Sequence, residues 1–342
     1  MTTAAPRPVL SIGELLIDMI ASDGASALED ATAFVARPGG APANVAVALA
    51  RLGVLSAFCG VVGADPFGTR LRSVLASEGV DVTRLHTSKD TDTTLAFAWK
   101  DVRGDGHFRL LRMADRLLDE HDVERAGIEA CAAVVVGSVA LSADPSRQAV
   151  IRAVEIAADH GVPVCVDLNL RPSLWPSAGI AREVCVPLLS RAKLLKLSLD
   201  DARFLLETGD DHELAFKAAL ELGAPFTVLT DGSRGAWFGD GEGRHVPAIH
   251  VDAFEPTGAG DAFNAALVSR LLRNDWSSFG REDVVYASVA GALACARPGA
   301  MEGLPTADAI EAFLQGIHSS GRADTSVRPC ARYPQSSRLR KG

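Results

Sequence analysis

Pro256-Thr257-Gly258-Ala259-Gly260-Asp261-Ala262-Phe263-Asn264 is the stretch whose reading decides the fold. It follows a strand-like run, His245–Val251, and opens a helix on which Phe263, Leu267 and Leu271 share one face. A Gly-Ala-Gly turn at a helix start carries no bulky side chain, so backbone N–H groups can approach an anion closely and the helix dipole adds to the attraction. Asp261 stands in the first turn, where a carboxylate is most often a simple cap. Phosphoryl transfer to an alcohol, however, needs a proton acceptor beside donors that hold developing negative charge. Gly258 to Asp261 supplies both within four residues.

Outward from this stretch, short apolar runs alternate with amphipathic segments. Val9–Ile12, Ala57–Val62, Ala132–Val136, Val162–Val166 and Phe226–Leu229 read as strands. The alternation predicts an α/β fold: a central, mostly parallel sheet flanked by helices in three layers. Ala41–Leu52 reads as a helix, with Pro42 in its first turn and Gly53 just past its end. Leu15–Ile20 with Ala31–Ala36, and Thr94–Lys100 with His107–Arg112, read as strands joined by polar turns, the second pair through Arg103-Gly104-Asp105-Gly106. Four strands without intervening helices, within about 14–36 and 94–112, predict a small separate sheet that can act as a lid.

The chain has 342 residues and a net charge of -9. Residues 1–320 are expected to form one domain. The stretch 321–342 carries six basic residues against one acid, so it is +5 and the remainder -14; it reads as a disordered basic tail. That balance argues against a nucleic-acid partner, which clustered cations would favour. Six scattered cysteines without a C-x-x-C pair suit a reduced cytoplasm. No apolar run is long enough to span a membrane, and Met1–Pro8 has no apolar leader core, so neither membrane insertion nor secretion is expected. The chain contains no Gly-Lys dipeptide, hence no Walker A loop, no His-Arg-Asp catalytic loop, and no G-x-G-x-x-G between a strand and a helix.

Pro256–Asn264 resembles the C-terminal signature of the ribokinase-like (PfkB) carbohydrate kinases, and Gly39-Gly40-Ala41-Pro42-Ala43-Asn44-Val45-Ala46 resembles their N-terminal signature. Further matches extend over roughly residues 9 to 317, and within the family the fructokinases are most similar. The resemblance implies a ribokinase-like fold and transfer of phosphate from ATP to a sugar's primary hydroxyl, fructose first, with 2-keto-3-deoxygluconate, ribose or an aminoimidazole riboside as alternatives. It implies Asp261 as general base, with the backbone of Gly258, Ala259 and Gly260 as anion hole.

The other roles are likewise what the resemblance implies. Gly13-Glu14-Leu15-Leu16-Ile17-Asp18 gives Asp18 a place on sugar hydroxyls, and Gly39, Gly40 and Asn44 join it. Asp167-Leu168-Asn169-Leu170-Arg171-Pro172, followed by Leu174-Trp175-Pro176, makes Asn169 and Arg171 ligands on the phosphate side. Phe108–Arg112 with Ala114-Asp115 is similar to the lid strand over the sugar, with Arg112 the residue that reaches across. Lys196-Leu197-Ser198-Leu199-Asp200-Asp201 aligns with the family's N-x-x-E element, placing Lys196 and Ser198 near the nucleotide and Asp201 near Mg²⁺ through water. Thr230, Gly232 and Gly235 fall on an ATP-edge loop, and Asn264 and the 292–299 region border adenine. Glu255 stands where the family has Asp near a monovalent cation, which leaves a K⁺ requirement open. The expected partners are sugar and ATP, and a small sheet with an apolar face predicts a homodimer through the lid.

Overall fold

The structure, a computed structural model, describes residues 7–102, 106–239, 243–252 and 254–319. The basic tail and most of the turn predicted at 103–106 lie outside them. Thirteen strands follow in chain order: β1 Val9–Ile12, β2 Leu16–Ala21, β3 Phe34–Gly39, β4 Ser56–Gly63, β5 Asp81–Ser88, β6 Leu95–Lys100, β7 Gly106–Leu111, β8 Ala133–Gly137, β9 Val164–Asp167, β10 Leu194–Ser198, β11 Phe226–Thr230, β12 Ala236–Gly239 and β13 Arg244–Val246.

Nine strands form the central sheet in the order β13-β12-β11-β10-β9-β8-β1-β4-β5. The run from β11 to β5 is parallel and only β12 and β13 are antiparallel, as the alternating apolar runs predict. Side-chain alternation divides the core: Leu10, Ile12, Val134 and Val136 pack on one face, Val9, Ala133 and Val135 on the other. Helices Ser146–Asp159 and Ala178–Leu189 cover the first face; Ala41–Arg51, Ala259–Arg273 and Arg281–Cys295 cover the second.

The run predicted as a strand over His245–Val251 is shorter, ending at Val246. Pro247 follows it and has no N–H to donate to the ladder.

The small sheet has the order β3-β2-β6-β7. Two antiparallel pairs, β2 with β3 and β6 with β7, are joined by a parallel seam between β2 and β6.

Helix Ala41–Arg51 starts at Gly40, has Pro42 in its first turn, and buries Val45, Val47 and Leu49. It stops where the N–H groups of Gly53 and Val54 return to the carbonyls of Ala50 and Leu49. Helix Ala259–Arg273 starts at Gly258 and buries Phe263, Leu267 and Leu271. Close packing of these two helices brings residues from the two ends of the chain onto one side of the sheet, at the carboxyl ends of its parallel strands, where α/β folds bind ligands.

Candidate active site

A cavity of about 840 Å³ lies between those strand ends and the small sheet. Its floor carries Gly40, Asn44, Asn169, Arg171, Lys196, Gly258, Gly260 and Asp261; the small sheet contributes Asp18, Ala96, Phe108 and Leu110. The predicted lid therefore forms a wall of the cavity.

Asn44, one turn into the first helix, donates from Nδ2 to Oδ2 of Asp261 at 2.7 Å. This bond joins two motifs 217 residues apart. Asp261 is buried, and burial raises its pKa above the usual carboxylate range against the opposing pull of Asn44, Lys196 and Arg171. A carboxylate so placed holds its position by one donor and keeps its second oxygen for a proton.

Gly39 and Gly40 are there for space. A Cβ on Gly39 would fall 2.0 Å from Oδ2 of Asp18, and one on Gly40, at φ 107°, would fall 2.4 Å from the carbonyl oxygen of Glu14. Gly39 itself does not line the cavity; it makes room for Asp18, which does. Burial raises Asp18 to about 7, helped by Asp261, Glu255 and Glu302 and opposed by Arg171.

Gly258 takes a left-handed φ of 84° and caps the helix. Of the predicted anion-hole groups, Ala259 is a correction: its N–H is spent on the carbonyl of Pro256 at 3.2 Å, closing the tight turn, and the residue does not line the cavity. Gly260 and Asp261 follow in the first turn, whose N–H groups lack an intrahelical carbonyl. A Cβ on Gly260 would meet Nζ of Lys196 at 3.0 Å.

Lys196, on β10, sits beside Asp167, on β9, in register, with Nζ 2.9 and 3.1 Å from its two carboxylate oxygens. Burial works to discharge this ammonium, but Asp167, with Asp201 and Asp261 behind it, outweighs burial and holds its pKa above the ordinary lysine value. The cradle thus has a buried positive charge next to it. Asn169 adopts φ 40°, a left-handed conformation uncommon for a non-glycine residue. Its Oδ1 accepts from Nη1 of Arg171 at 2.6 Å, and the guanidinium lies 5.9 Å over the ring of Phe108.

Several predicted ligands are placed elsewhere. Arg112 does not reach over the cavity: its guanidinium is committed to Asp115 at 2.6 Å and to Val139, Ser142 and Ser146 in a buried network. Asp201 is not offered to a metal. One oxygen accepts the Leu170 N–H at 2.7 Å and the other accepts the N–H and hydroxyl of Ser198, so Ser198 and Asp201 form a helix capping box that anchors the loop carrying Asn169 and Arg171. Among the described residues no group of three His, Cys, Asp or Glu side chains could hold a metal. Mg²⁺ commonly takes only one or two carboxylates beside a nucleotide's phosphates and water, so the geometry bears on Asp201 alone, whose two oxygens are already engaged by protein donors. Glu255 lines the cavity and accepts the Gly299 N–H at 3.0 Å.

Thr230 ends β11 in register with Ser198, and Gly232 and Gly235 lie on the turn that follows; none of the three lines the cavity. A Cβ on Gly235 would strike the Val246 carbonyl at 2.1 Å, which gives that glycine a packing reason. Asn264 is fully buried, with neither side-chain polar atom partnered, and does not line the cavity. Among the cavity residues to which sequence reasoning assigned no ligand role are Glu14 and Phe108, the latter placed only on the lid strand; Asp167, beneath Lys196, was likewise assigned none. The available signal for Glu14 was a carboxylate inside the run Val9–Ile17, which is otherwise apolar but for Ser11.

The pfkB family carbohydrate kinase profile matches residues 7–307, most of the chain. The chain belongs to this family. Among relatives of this kinase, Fructokinase-1 of Oryza sativa subsp. japonica is 36% identical over 308 residues, covering 87% of this chain and 94% of that one. A solved fructokinase of Xylella fastidiosa with bound ATP superposes at a TM-score of 0.81 with 28% identity, covering 91% of this kinase and 99% of that chain. A double-mutant fructokinase of Vibrio cholerae O395 with fructose, ADP and potassium ion bound gives 0.78 and 31%, covering 90% and 98%. The small sheet beside the central one accords with the ribokinase-like fold that the two motifs imply. This pfkB-family enzyme is a sugar kinase, and among its described residues no helix is long and apolar enough to cross a membrane.

Proposed function

We propose that the protein transfers the γ-phosphoryl group of ATP to the primary hydroxyl of a ketose, D-fructose to fructose 6-phosphate in the first instance. The observation that carries this reading is the Asn44–Asp261 hydrogen bond, which sets the carboxylate beside the Gly258–Gly260 turn in the cavity. In the reaction the sugar oxygen bonds to the γ-phosphorus as the bond to the β,γ-bridging oxygen breaks. The hydroxyl proton passes to Asp261 and the leaving electron pair stays on ADP. A positioned base contributes about 10²–10⁴-fold to such a step. The helix N-terminus, Lys196 and Arg171 face the charge on the transferred group.

Fructose is favoured because the relatives named above are fructokinases and the bound sugar of one of them is fructose. Mg²⁺ would be carried by the nucleotide's phosphates and water, since Asp201 is spent. Glu255 in place of Asp gives no reason to assign a K⁺ requirement. A homodimer through the small sheet remains part of this proposal, and light scattering at micromolar concentration reads it directly. The cytoplasm remains the proposed compartment, in keeping with the unpaired cysteines described.

Initial rates of ADP release against ten sugars, with the product fixed by phosphorus NMR, test the function. The reading expects the highest kcat/KM with fructose. A higher value with ribose or 2-keto-3-deoxygluconate would move the substrate, and no sugar-dependent ADP release at all would remove the activity.

A further inference from the structure

Glu14 sits just before β2, and its residue is only 4% exposed. Oε1 accepts the N–H of Ala41, the first residue of the helix that carries Asn44, at 3.2 Å. Oε2 is equally buried, has no hydrogen-bond partner, and belongs to a side chain that lines the cavity. A buried carboxyl oxygen without a donor is costly to a folded protein, so it calls for an occupant of the cavity. The neighbouring guanidinium of Arg112 does not supply one, because its nitrogens go to Asp115, Val139, Ser142 and Ser146. The cavity neighbours Gly40, Ala41 and Val139 have no side-chain donor to offer.

We infer that Glu14 is a specificity-determining residue whose Oε2 pairs with a hydroxyl of the bound sugar other than the one that is phosphorylated. Asp261 occupies the reacting hydroxyl, and Asp18 and Glu14 then read the remainder of the polyol from β2 and the turn before it. Burial brings Glu14 to about 7, so near neutrality it can either donate to or accept from a hydroxyl, which suits a neutral polyol better than a cationic ligand. The inference rests on the sugar-kinase reading and adds to it a named group that selects among sugars.

The test measures kcat and KM, for sugar and for ATP separately, in wild type, Glu14→Gln and Glu14→Ala. The substrates are the sugar that wild type prefers and its monodeoxy analogues. Glu14→Ala should raise the sugar KM about 10- to 100-fold, the range for one lost hydrogen bond to a charged group, while the ATP KM moves less than about twofold. Glu14→Gln, which keeps the shape and one acceptor, should recover most of the loss. One analogue should be poor for wild type yet suffer little further from Glu14→Ala, because the partner is already gone. An unchanged sugar KM in Glu14→Ala, or an equal penalty across every analogue, overturns the inference. If Glu14→Ala does not fold, Glu14→Leu, close in volume and without an acceptor, takes the same analogue series and decides the same question. A wild type that phosphorylates no sugar would overturn the kinase reading itself, an outcome distinct from an active wild type indifferent to Glu14.

Discussion

Gly258→Ala bears most directly on the phosphate cradle. At φ 84° and ψ -7° an L-residue costs about 1–2 kcal/mol more than glycine. The added Cβ would also lie 2.6 Å from the carbonyl oxygen of Ala300 and 3.0 Å from its Cα, where ordinary contact begins at 3.4 Å. The helix N-terminus or the loop at Ala300 must then open by about 0.8 Å, and a misplacement near 1 Å can cost about 10²-fold in rate. Loss of one anion-hole donor costs about 10²–10³-fold. The expected result is a kcat lower by about 10²-fold and a stability lower by about 1–3 kcal/mol. Asn44 and Asp18 are untouched, so the sugar dissociation constant should stay within about threefold. Coupled ADP-release kinetics, urea unfolding and sugar titration calorimetry read the three quantities. A kcat within about threefold of wild type, in a variant whose unfolding shows the stability loss, would refute the cradle.

Arg112→Ala leaves Asp115 buried without its cation and should destabilise by about 3–5 kcal/mol in urea unfolding, whereas a residue reaching over the sugar would show itself in the sugar KM. Glu14→Gln should stabilise the protein at alkaline pH. Folded Glu14 holds its proton to about 7 against 4.5 unfolded, so its favourable contribution is full below pH 4.5 and is lost as pH rises through 7. The variant's advantage should therefore grow from near zero at pH 4.5 to about 3 kcal/mol above pH 8 in thermal melts, and a pH-independent difference would contradict that sign.

Residues whose role is a matter of backbone shape were legible in the sequence. Gly39, Gly40 and Gly258 announce close approach and a turn, and the structure gives each a clash that any Cβ would create. Polar side chains were harder to place, because their roles depend on what the fold sets beside them. Arg112 and Asp201 look like ligands on the chain, yet Asp115 lies three residues from the one and Ser198 three from the other, and those local partners take them first. Lys196 and Asp167 stand 29 positions apart and meet only because β9 and β10 are neighbours in register. The edge strand β5, Asp-Val-Thr-Arg-Leu-His-Thr-Ser, has a mostly polar alternation that no apolar run betrays. The strand end at Val246 was readable from Pro247.

The most direct test is Asp261→Asn, followed by ADP formation with saturating fructose and ATP across pH. The account predicts turnover reduced by at least about 10²–10⁴-fold with fructose and ATP still bound. It also predicts that wild type loses activity as pH falls through a value above the ordinary carboxylate range, a limb absent from the variant's residual rate. Near-wild-type turnover by Asp261→Asn would contradict it.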